Sequence, residues 1–330
     1  MKQICLMFLI IKSLSGFSQT KKYTFSEPKM GSPFNITLYT DDSANVKRIA
    51  TKAYQIVDSL NLIYSDYLPH SELNRLSAMA GKDTTVKVSE SMWDILQKSS
   101  VASQKSKGAY DITVGAVVKL WRTIRKEKVL PTKKVLKKAT QSVGYQFIIL
   151  DSARHTAKIL RPNTQLDLGG IAKGYIAQAV VDFCKLSGIQ KVLVDAGGDL
   201  AMSGSGWKVG ITIPNSEELM ESYLVLDNQA VATSGNMYQM VEMNGKRYSH
   251  IVNPQTGLGV THQRNVTVIA PDGATADWLA TACSVLSVKK SLKLIRTMPN
   301  CEVLIAEVQK GKLKKWQSAG KIEKMAVGWV

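Results

Sequence analysis

Cysteine is scarce in this chain, with four in 330 residues, and none of them has the spacing of zinc ligands. After an early Cys5, the remaining Cys184, Cys283 and Cys301 are widely separated and odd in number. Such a set excludes the disulfide framework of small secreted domains, and it leaves open one bridge or three buried thiols. Long internal apolar runs are also lacking, which excludes an internal transmembrane helix. Because linkers, low-complexity runs and repeats are absent too, we expect one compact domain.

Acidic residues are outnumbered by basic ones, 26 to 43, so the formal net charge is +17. The basic excess is concentrated in residues 122–138 and 310–315. A basic surface attracts nucleic acid, anionic membrane surfaces and phosphorylated ligands. Neither cluster is interleaved with aromatic residues as in platforms for single-stranded nucleic acid, so we expect no nucleic-acid partner. A solvated lysine-rich face, docking of an acidic protein and association with a membrane surface stay open.

The first residues have the composition of a Sec signal peptide. Lys2 precedes an apolar run over residues 4–11, and small or polar residues follow up to Ser18. Cleavage after Ser18 would divide the chain into a signal peptide at residues 1–18 and a functional domain at residues 19–330. Because Lys12 directly follows the apolar run, a buried N-terminal strand is the alternative. We therefore predict export to the periplasm, close to the inner-membrane surface.

Short strands that alternate with a few helices predict an α+β fold, in which helices flank one mixed, largely antiparallel sheet. Two strands are expected around residues 30–33, followed by a helix that Asp42 or Ser43 caps and that runs to about residue 63. Further helices are predicted at residues 89–107, 115–125, 171–186, 275–286 and 288–296, with a short basic helix opening at 131. Further strands are predicted at residues 147–150, 157–160, 165–168, 192–195, 207–213, 223–227, 248–252, 266–269, 302–308 and 313–317.

The segment at residues 167–174, DLGGIAKG, joins a predicted strand to a predicted helix through two glycines. Such a turn lets the backbone approach a ligand closely and directs free N–H groups at an anion. It matches neither the dinucleotide fingerprint G-x-G-x-x-G nor the Gly-Lys-Ser/Thr ending of a phosphate-binding loop. By itself the segment is equally consistent with a tight connection that binds nothing.

A second segment, residues 275–281, places Asp277 and Thr281 four residues apart on one helix face, with Thr275 as the expected N-cap. A carboxylate and a hydroxyl in this arrangement can present two hard oxygens to one divalent cation such as Mg²⁺. The alternative is that Asp277 only stabilises the helix dipole while Thr281 packs. Together with the glycine turn, this segment predicts a site for a nucleotide diphosphate.

His250 is placed at the end of a predicted strand, before a turn with proline and glycine. Histidine ordinarily titrates near pH 6.5, so a histidine at a loop mouth suits general-base catalysis, although a hydrogen-bonded structural role is also open. Tyr67 and Tyr110 each adjoin an aspartate in loops, where they can stack on a heterocycle or pack in the core. We interpret the second glycine turn, residues 194–200, as structural.

The order and spacing of these segments resemble the ApbE family of FAD:protein FMN transferases, and the resemblance covers nearly the whole chain after residue 18. The matching stretches are residues 30–32 (MGS), 71–76 (SELNRL), 108–115 (GAYDITVG), 167–175 (DLGGIAKGY), 194–199 (VDAGGD), 232–236 (ATSGN), 248–257 (YSHIVNPQTG) and 276–281 (ADWLAT). The resemblance implies an exported enzyme that uses Mg²⁺ and transfers FMN from FAD to a threonine or serine hydroxyl of an acceptor redox protein, while AMP leaves.

The resemblance also implies roles for individual residues. It assigns the metal to the carbonyl of Gly170 and the side chains of Asp277 and Thr281, and the activation of the acceptor hydroxyl to His250. The residues that would line the FAD site are Met30, Tyr67, Ala109, Tyr110, Asp111, Asp167 and Lys173, closed by His250 and Ile251.

This chain departs from the family pattern at three places. Ile112 stands where proline is frequent, residues 122–125 (RTIR) replace a glycine-rich turn after Trp121, and Gln178 stands where aspartate is frequent. These departures concern loop shape and acceptor docking more than the metal site. Two other functions would use the same residues, namely a metal-dependent FAD diphosphatase and a periplasmic FAD-binding protein without turnover.

Overall fold

The computed structural model describes residues 20–211, 223–235, 240–320 and 322. The predicted signal peptide at residues 1–18 lies outside these residues, as does the end of the strand predicted at 207–213. The helices are α1 Val46–Tyr64, α2 Glu72–Ser77, α3 Glu90–Ser106, α4 Gly115–Glu127, α5 Lys133–Thr140, α6 Ala172–Leu186, α7 Gly273–Val285 and α8 Val288–Ile295. The strands are β1 Lys21–Lys29, β2 Ser32–Thr40, β3 Val86–Lys87, β4 Ile148–Asp151, β5 Thr156–Ile159, β6 Lys191–Ala196, β7 Asp199–Ser203, β8 Trp207–Gly210, β9 Tyr223–Leu226, β10 Ala230–Gly235, β11 Met240–Met243, β12 Lys246–Ser249, β13 Gln263–Ala270, β14 Glu302–Gln309 and β15 Lys312–Gln317.

One large sheet contains eight of these strands, in the order β1-β2-β6-β7-β10-β13-β14-β15. Every neighbouring pair in it is antiparallel. Smaller sheets are formed by β3, β4 and β5, by β8 with β9, and by β11 with β12. The prediction of an α+β fold with a largely antiparallel sheet is confirmed.

The centre of the large sheet is covered on both faces, because successive side chains of a strand point to opposite sides. In β10, Ala230 and Ala232 belong to the main core, whereas Val231 packs in a second cluster with Trp207 and Leu226 of the β8–β9 hairpin. Helices α6 and α7 lie over the first face, α1 packs against α6 and against β1 and β2, and α3 packs against α1 and α7. This burial on both sides explains why seven of the eight residues of β13 are buried.

A third cluster joins α4 to the β11–β12 hairpin. Trp121 and Ile124 of α4 pack with Val241 and Tyr248 of the hairpin, and Trp121 Nε1 donates a hydrogen bond to the carbonyl of Ser249 at 2.7 Å. Ser249 is the last residue of β12 and directly precedes His250. The apolar face of α4 therefore holds the segment that carries the predicted base.

The start of α7 differs from the sequence prediction, because Asp272 and not Thr275 is its N-cap. Asp272 accepts hydrogen bonds from the N–H of Thr275 at 2.9 Å and from its hydroxyl at 2.7 Å. Thr275 was therefore the wrong cap, and the helix starts two residues earlier than predicted. Similarly, α1 begins at Val46 with Asn45 as N-cap, so the predicted capping by Asp42 or Ser43 is also wrong.

The strand predicted at residues 165–168 is not formed. Gln165 makes only an isolated parallel bridge to Val114, and Asp167 donates its N–H to the carbonyl of Ile112 at 2.7 Å. These backbone bonds tie the segment to the start of α4 instead of to the sheet. Strands β3, β7, β10 and β11 and helix α2 were not predicted, because each is short or contains glycine or small polar residues.

Helices in the described part of the chain are all too short or too polar to traverse a bilayer. Cys184, Cys283 and Cys301 are free thiols, so the interpretation without a bridge is correct. Burial raises the pKa of each of these thiols to about 12. They are therefore packing residues with little thiolate character.

Candidate functional site

The turn before α6 leaves backbone N–H groups available for an anion. Asp167 Oδ1 closes the turn by accepting the N–H of Gly169 at 2.7 Å, and Ile171 and the following residue donate back to the carbonyl of Leu168. No described residue accepts a hydrogen bond from the N–H of Gly170 or Lys173. Because a helix start also carries partial positive charge, this turn suits a negatively charged group.

Helices α6 and α7 cross at two glycines. A Cβ on Gly174 would overlap the carbonyl oxygen of Gly273, and a Cβ on Gly273 would overlap that of Gly174. The close approach lets Asp277 Oδ2 accept the N–H of Gly174 at 3.2 Å. A carboxylate of α7 thereby caps the first turn of α6, where the helix dipole favours negative charge.

The same crossing brings the three predicted metal ligands together. A Cβ on Gly170 would lie only 2.8 Å from the hydroxyl oxygen of Thr281, so the hydroxyl rests directly against this glycine. Asp277 lies one turn before Thr281 on α7, and its side chain is buried. Gly170 and Thr281, from segments about a hundred residues apart, are thus in contact, and Asp277 lies one turn from Thr281 on the same helix.

Two buried carboxylates and one lysine determine the charge of this region. Lys173 Nζ lies 2.8 Å from Asp199 Oδ2. Burial raises the pKa of Asp277 well above its ordinary value, and the charge of Asp199 raises it further, while Lys173 opposes this. Burial also raises the pKa of Asp199, against the influence of Lys173. Burial by itself would lower the pKa of Lys173, but Asp199 and Asp277 outweigh it and raise that pKa.

The oxygen atoms of these residues are of the hard type that Mg²⁺ prefers. The described part of the chain contains no group of three or more His, Cys, Asp or Glu side chains that could hold a metal. The predicted set is of another kind, because it combines one carboxylate with a hydroxyl and a carbonyl. Mg²⁺ takes such hard oxygens and fills the rest of its octahedral shell with waters and phosphate oxygens. A divalent cation would also stabilise the ionised form of Asp277, whose pKa burial has raised.

Asp199 was missed at the level of sequence, where its glycine turn was interpreted as structural. The turn does have a structural hydrogen bond, since Asp195 Oδ1 accepts the N–H of Gly198 at 2.8 Å. The following Asp199, however, is buried and holds Lys173. The signal that could have identified it is that Asp199 is a charged residue in one of the stretches that resemble the ApbE family.

Arg122 joins two of the predicted flavin residues and was also missed. Its guanidinium donates to Asp66 and lies 3.5 Å from Asp167 Oδ2. The same group lies 4.0 Å from the ring centre of Tyr67, a cation–π distance. Tyr67 is 73% exposed, so a face of its ring is open to a flat ligand. Burial raises the pKa of Asp167, as does the charge of Asp66, whereas Arg122 lowers it.

Ala109, Tyr110 and Asp111, which the resemblance places at the FAD site, are buried in this structure. Asp111 Oδ1 accepts hydrogen bonds from the N–H of Thr113 at 2.9 Å and from its hydroxyl at 2.6 Å, and its Oδ2 accepts the N–H of Tyr145 at 2.8 Å. The ring of Tyr110 lies 6.3 Å from that of Trp278 on α7. In this structure the segment holds the loops between α3 and the glycine turn together.

Met30 and Ile251 lie in two further loops. Met30 is in the β1–β2 turn, and the Ser32 that follows this turn rests against Gly197, two residues before Asp199. Met30 thus lies in a loop at the end of the sheet at which β7 begins. Ile251 is buried and donates its N–H to the hydroxyl of Ser249 at 3.0 Å.

His250 lies between Ser249 and Ile251 and is half-buried. Helix α4 connects it with the glycine turn, because Trp121 holds Ser249 while Arg122, the next residue, reaches Asp167. The predicted base is therefore on an element packed against the same helix that contacts the turn before α6.

Comparisons with known proteins agree with one another. The ApbE family model matches residues 30–305. The FAD:protein FMN transferase of Haemophilus influenzae is 30% identical, over 92% of this chain and 92% of the relative. The FAD:protein FMN transferase of Treponema pallidum is 29% identical, over 89% of this chain and 87% of the relative. The solved structure of the flavin transferase ApbE from Vibrio cholerae has a TM-score of 0.83 at 25% identity, covering 92% of this chain and 99% of that chain.

Proposed function

Because the chain belongs to the ApbE family, we propose that it uses Mg²⁺ to move FMN from FAD onto a threonine or serine hydroxyl of an acceptor protein. Its relatives establish the enzyme class, which is FAD:protein FMN transferase. The dependence on Mg²⁺, the acceptor hydroxyl and the release of AMP belong to the proposal. So does export to the periplasm, where the acceptor would be a subunit of a membrane redox complex or a flavocytochrome.

The observation that carries the proposal is the α6–α7 crossing. It places Gly170 against Thr281 and directs Asp277 at the first turn of α6. A carboxylate and a hydroxyl beside a helix start that favours anions, with a glycine whose carbonyl could complete the set, are the elements needed to hold a diphosphate together with Mg²⁺.

Each residue near this crossing has a role in the proposed reaction. Gly170, Asp277 and Thr281 would hold Mg²⁺, which supplies charge neutralisation on the diphosphate when it is bound. Lys173, fixed by Asp199, adds positive charge to the same region. The N–H groups of Gly170 and Lys173 are placed to bind phosphate oxygens.

The reaction balances as a phosphoryl-type transfer. The oxygen of the acceptor hydroxyl attacks the phosphorus of the FMN half, and the bond from that phosphorus to the bridging oxygen breaks. The bridging oxygen leaves with AMP. We assign His250 as the general base that accepts the proton of the attacking hydroxyl, because a positioned base is needed as the new bond forms.

A transfer assay tests the function. The full chain is incubated with FAD, Mg²⁺ and a threonine-bearing acceptor protein, and the mass of the acceptor is then measured by mass spectrometry. We expect a mass gain of one FMN on the acceptor and release of AMP. Free FMN and AMP with unmodified acceptor would instead establish an FAD diphosphatase. Intact bound FAD without products would establish a binding protein.

The metal assignment is tested with Asp277→Asn. We expect transfer to fall by at least about a hundredfold, because loss of metal coordination removes several kcal/mol of charge stabilisation. Mg²⁺ should raise the thermal unfolding midpoint of the wild-type chain and leave that of the variant unchanged. Asp182→Asn, which alters an exposed carboxylate on α6, is the matched control. Wild-type transfer and Mg²⁺ stabilisation in Asp277→Asn would remove the metal site from this position.

The assignment of the base is tested with His250→Ala. Loss of a general base costs about 10²- to 10⁴-fold in rate, so transfer should fall by that amount while FAD binding is retained. Rate and FAD affinity are measured on the same preparation. An unchanged transfer rate would reject the role of His250.

A further inference from the structure

A groove runs between the C-terminal half of α4 and strand β11. Its volume is about 520 Å³, within the range of sites that hold small ligands or a short peptide segment. One wall is basic, and the other is formed by the first residues of β11. The lining residues are Arg122, Arg125, Lys126, Lys128, Met240, Val241 and Glu242.

The charge of this basic groove is largely uncompensated. Arg122 is engaged by Asp66 and Asp167. In contrast, no described residue forms an ion pair with Arg125, Lys126 or Lys128. Among the described residues that line the groove, Glu242 is the only acidic one. A concave surface lined by one sign of charge raises the local concentration of ligands of the opposite sign.

Both walls of the basic groove are connected to the flavin site. On the helical wall, Arg122 contacts Asp167 at the turn before α6. The strand wall belongs to the β11–β12 hairpin, whose last residue, Ser249, precedes His250. Trp121 fastens the two walls together through its hydrogen bond to Ser249. An occupant of the groove would therefore lie next to both the flavin residues and the predicted base.

We propose that the basic groove binds an acidic, extended segment of the acceptor protein and thereby presents the acceptor hydroxyl to His250. This inference rests on the proposed transfer function and names the chemistry of its protein substrate. Carboxylates of the segment would pair with Arg125, Lys126 and Lys128, while its apolar atoms would contact Met240 and Val241.

The shape of the basic groove favours a protein segment over other anionic partners. A flat membrane surface would be met by lysines on an exposed helix face, such as those of α5, whereas these cations line a groove with an apolar side. Single-stranded nucleic acid is bound by stacking on aromatic side chains, and none is found among the described residues that line this groove.

The experiment uses labelled peptides as probes for the full chain. One peptide has aspartates on both sides of a central threonine, and the second has asparagines in their place. We expect fluorescence anisotropy to show at least about tenfold tighter binding of the aspartate peptide, declining as salt is added. Equal binding of the two peptides, or no binding of the aspartate peptide, would overturn the proposal.

Charge-reversal variants locate the binding. A triple variant should weaken binding of the aspartate peptide about tenfold or more; it combines Arg125→Glu, Lys126→Glu and Lys128→Glu. The control is a triple variant on α5 that changes the net charge by the same amount, namely Lys133→Glu, Lys134→Glu and Lys137→Glu. It should bind the peptide with nearly the wild-type affinity. Glu242→Lys should tighten binding, a gain that misfolding cannot produce. Equal losses in both triple variants would overturn the proposal, as would no gain in Glu242→Lys.

The same variants separate this inference from the proposed function. If the acceptor gains FMN at equal rates with the wild-type chain and the groove variant, the groove is not the docking site while the function stands. If the aspartate peptide binds in the groove but no acceptor gains FMN, the transfer function fails while the groove stands. Binding to phosphatidylglycerol vesicles tests a membrane surface as the alternative partner. If the groove variant loses vesicle binding but keeps peptide binding, the groove is a membrane contact and the proposal is overturned.

Discussion

Arg122 contacts Tyr67 and Asp167, which the family resemblance places at the flavin, and also Asp66, the neighbour of Tyr67 in sequence. Its guanidinium neutralises Asp66 and Asp167 and lies over the ring of Tyr67. Without it, two carboxylates would face each other at the edge of the site, and the exposed tyrosine ring would lose the contact that holds it. The planar guanidinium suits this position because it can address two carboxylates and an aromatic face at once.

We therefore expect Arg122→Ala to weaken FAD binding by about tenfold to a hundredfold, the loss associated with charge-assisted hydrogen bonds. Arg122→Lys should restore only part of the affinity, since an ammonium lacks the planar fork. The measurement is a titration of FAD fluorescence. Arg154→Ala, which removes an exposed arginine paired with Asp151, is the control. An Arg122→Ala chain with wild-type affinity would show that the cluster does not organise the flavin site.

Among the elements, the crossing of α6 and α7 positions the chemistry. Each helix brings a residue without a Cβ to the contact, and the two backbones touch there. The separation of the helices determines whether Asp277 reaches Gly174 and whether Thr281 rests against Gly170.

Gly174→Ala should separate these two helices. The added methyl group would overlap the carbonyl of Gly273, and overpacking of this kind costs about 1–3 kcal/mol in the free energy of unfolding. Transfer activity should fall as well, because Thr281 and Asp277 move away from the turn. Urea denaturation and the transfer assay provide the two measurements.

Gly210→Ala is the matched control for this change. A Cβ at Gly210 would meet no atom of the described residues within 4 Å, so the free energy of unfolding and the activity should stay near the wild-type values. An unchanged urea midpoint in Gly174→Ala would show that the helices can separate at little cost.

At the scale of the whole molecule, the free energy of unfolding should depend on pH through His262, which is part of a polar cluster at the C-terminal end of α7. His262 lies 2.8 Å from the carbonyl of Ser284, and Arg264 pairs with Glu307 while donating to the carbonyl of Leu286 at 2.7 Å. Burial lowers the pKa of His262 below its ordinary 6.5, and the charge of Arg264 lowers it further, whereas Glu307 acts in the opposite direction.

The sign of the effect follows from this shift. Below pH 6.5 the unfolded chain takes up a proton on His262 before the folded chain does. The stability that neutral His262 contributes is therefore complete above pH 6.5 and is lost as the pH falls toward the lower folded pKa. The difference in unfolding free energy between the wild-type chain and His262→Gln should shrink as the pH falls from 6.5.

Urea denaturation of both chains over a pH series measures this difference. The difference between two chains is needed because the buried Asp199 and Asp277, with raised pKa values, change stability in the opposite direction. His70→Gln, a change at an exposed histidine, controls for the loss of a histidine as such. A difference that stays constant with pH would contradict the role of His262.

Local patterns in the chain were sufficient for several features. The 3.6-residue period of apolar residues predicted α6 and α8 closely, and the alternation of short strands predicted the α+β class. The spacing of Asp277 and Thr281 predicted one shared helix face, and the glycine pair predicted a turn before a helix. These features depend on neighbours within a few residues, which a single sequence displays directly.

Other features depend on residues that packing brings together from distant parts of the chain. The contact of Gly170 with Thr281, the pairing of Lys173 with Asp199 and the bridge of Arg122 to Asp66 and Asp167 are all of this kind. Local patterns also misplaced the N-cap of α7 and the segment at residues 165–168, because hydrogen bonds from Asp272 and from the start of α4 outweigh local propensity there. A linear sequence carries the chemistry of each side chain, but charges and backbones separated by a hundred residues meet only after the sheet and its helices have packed.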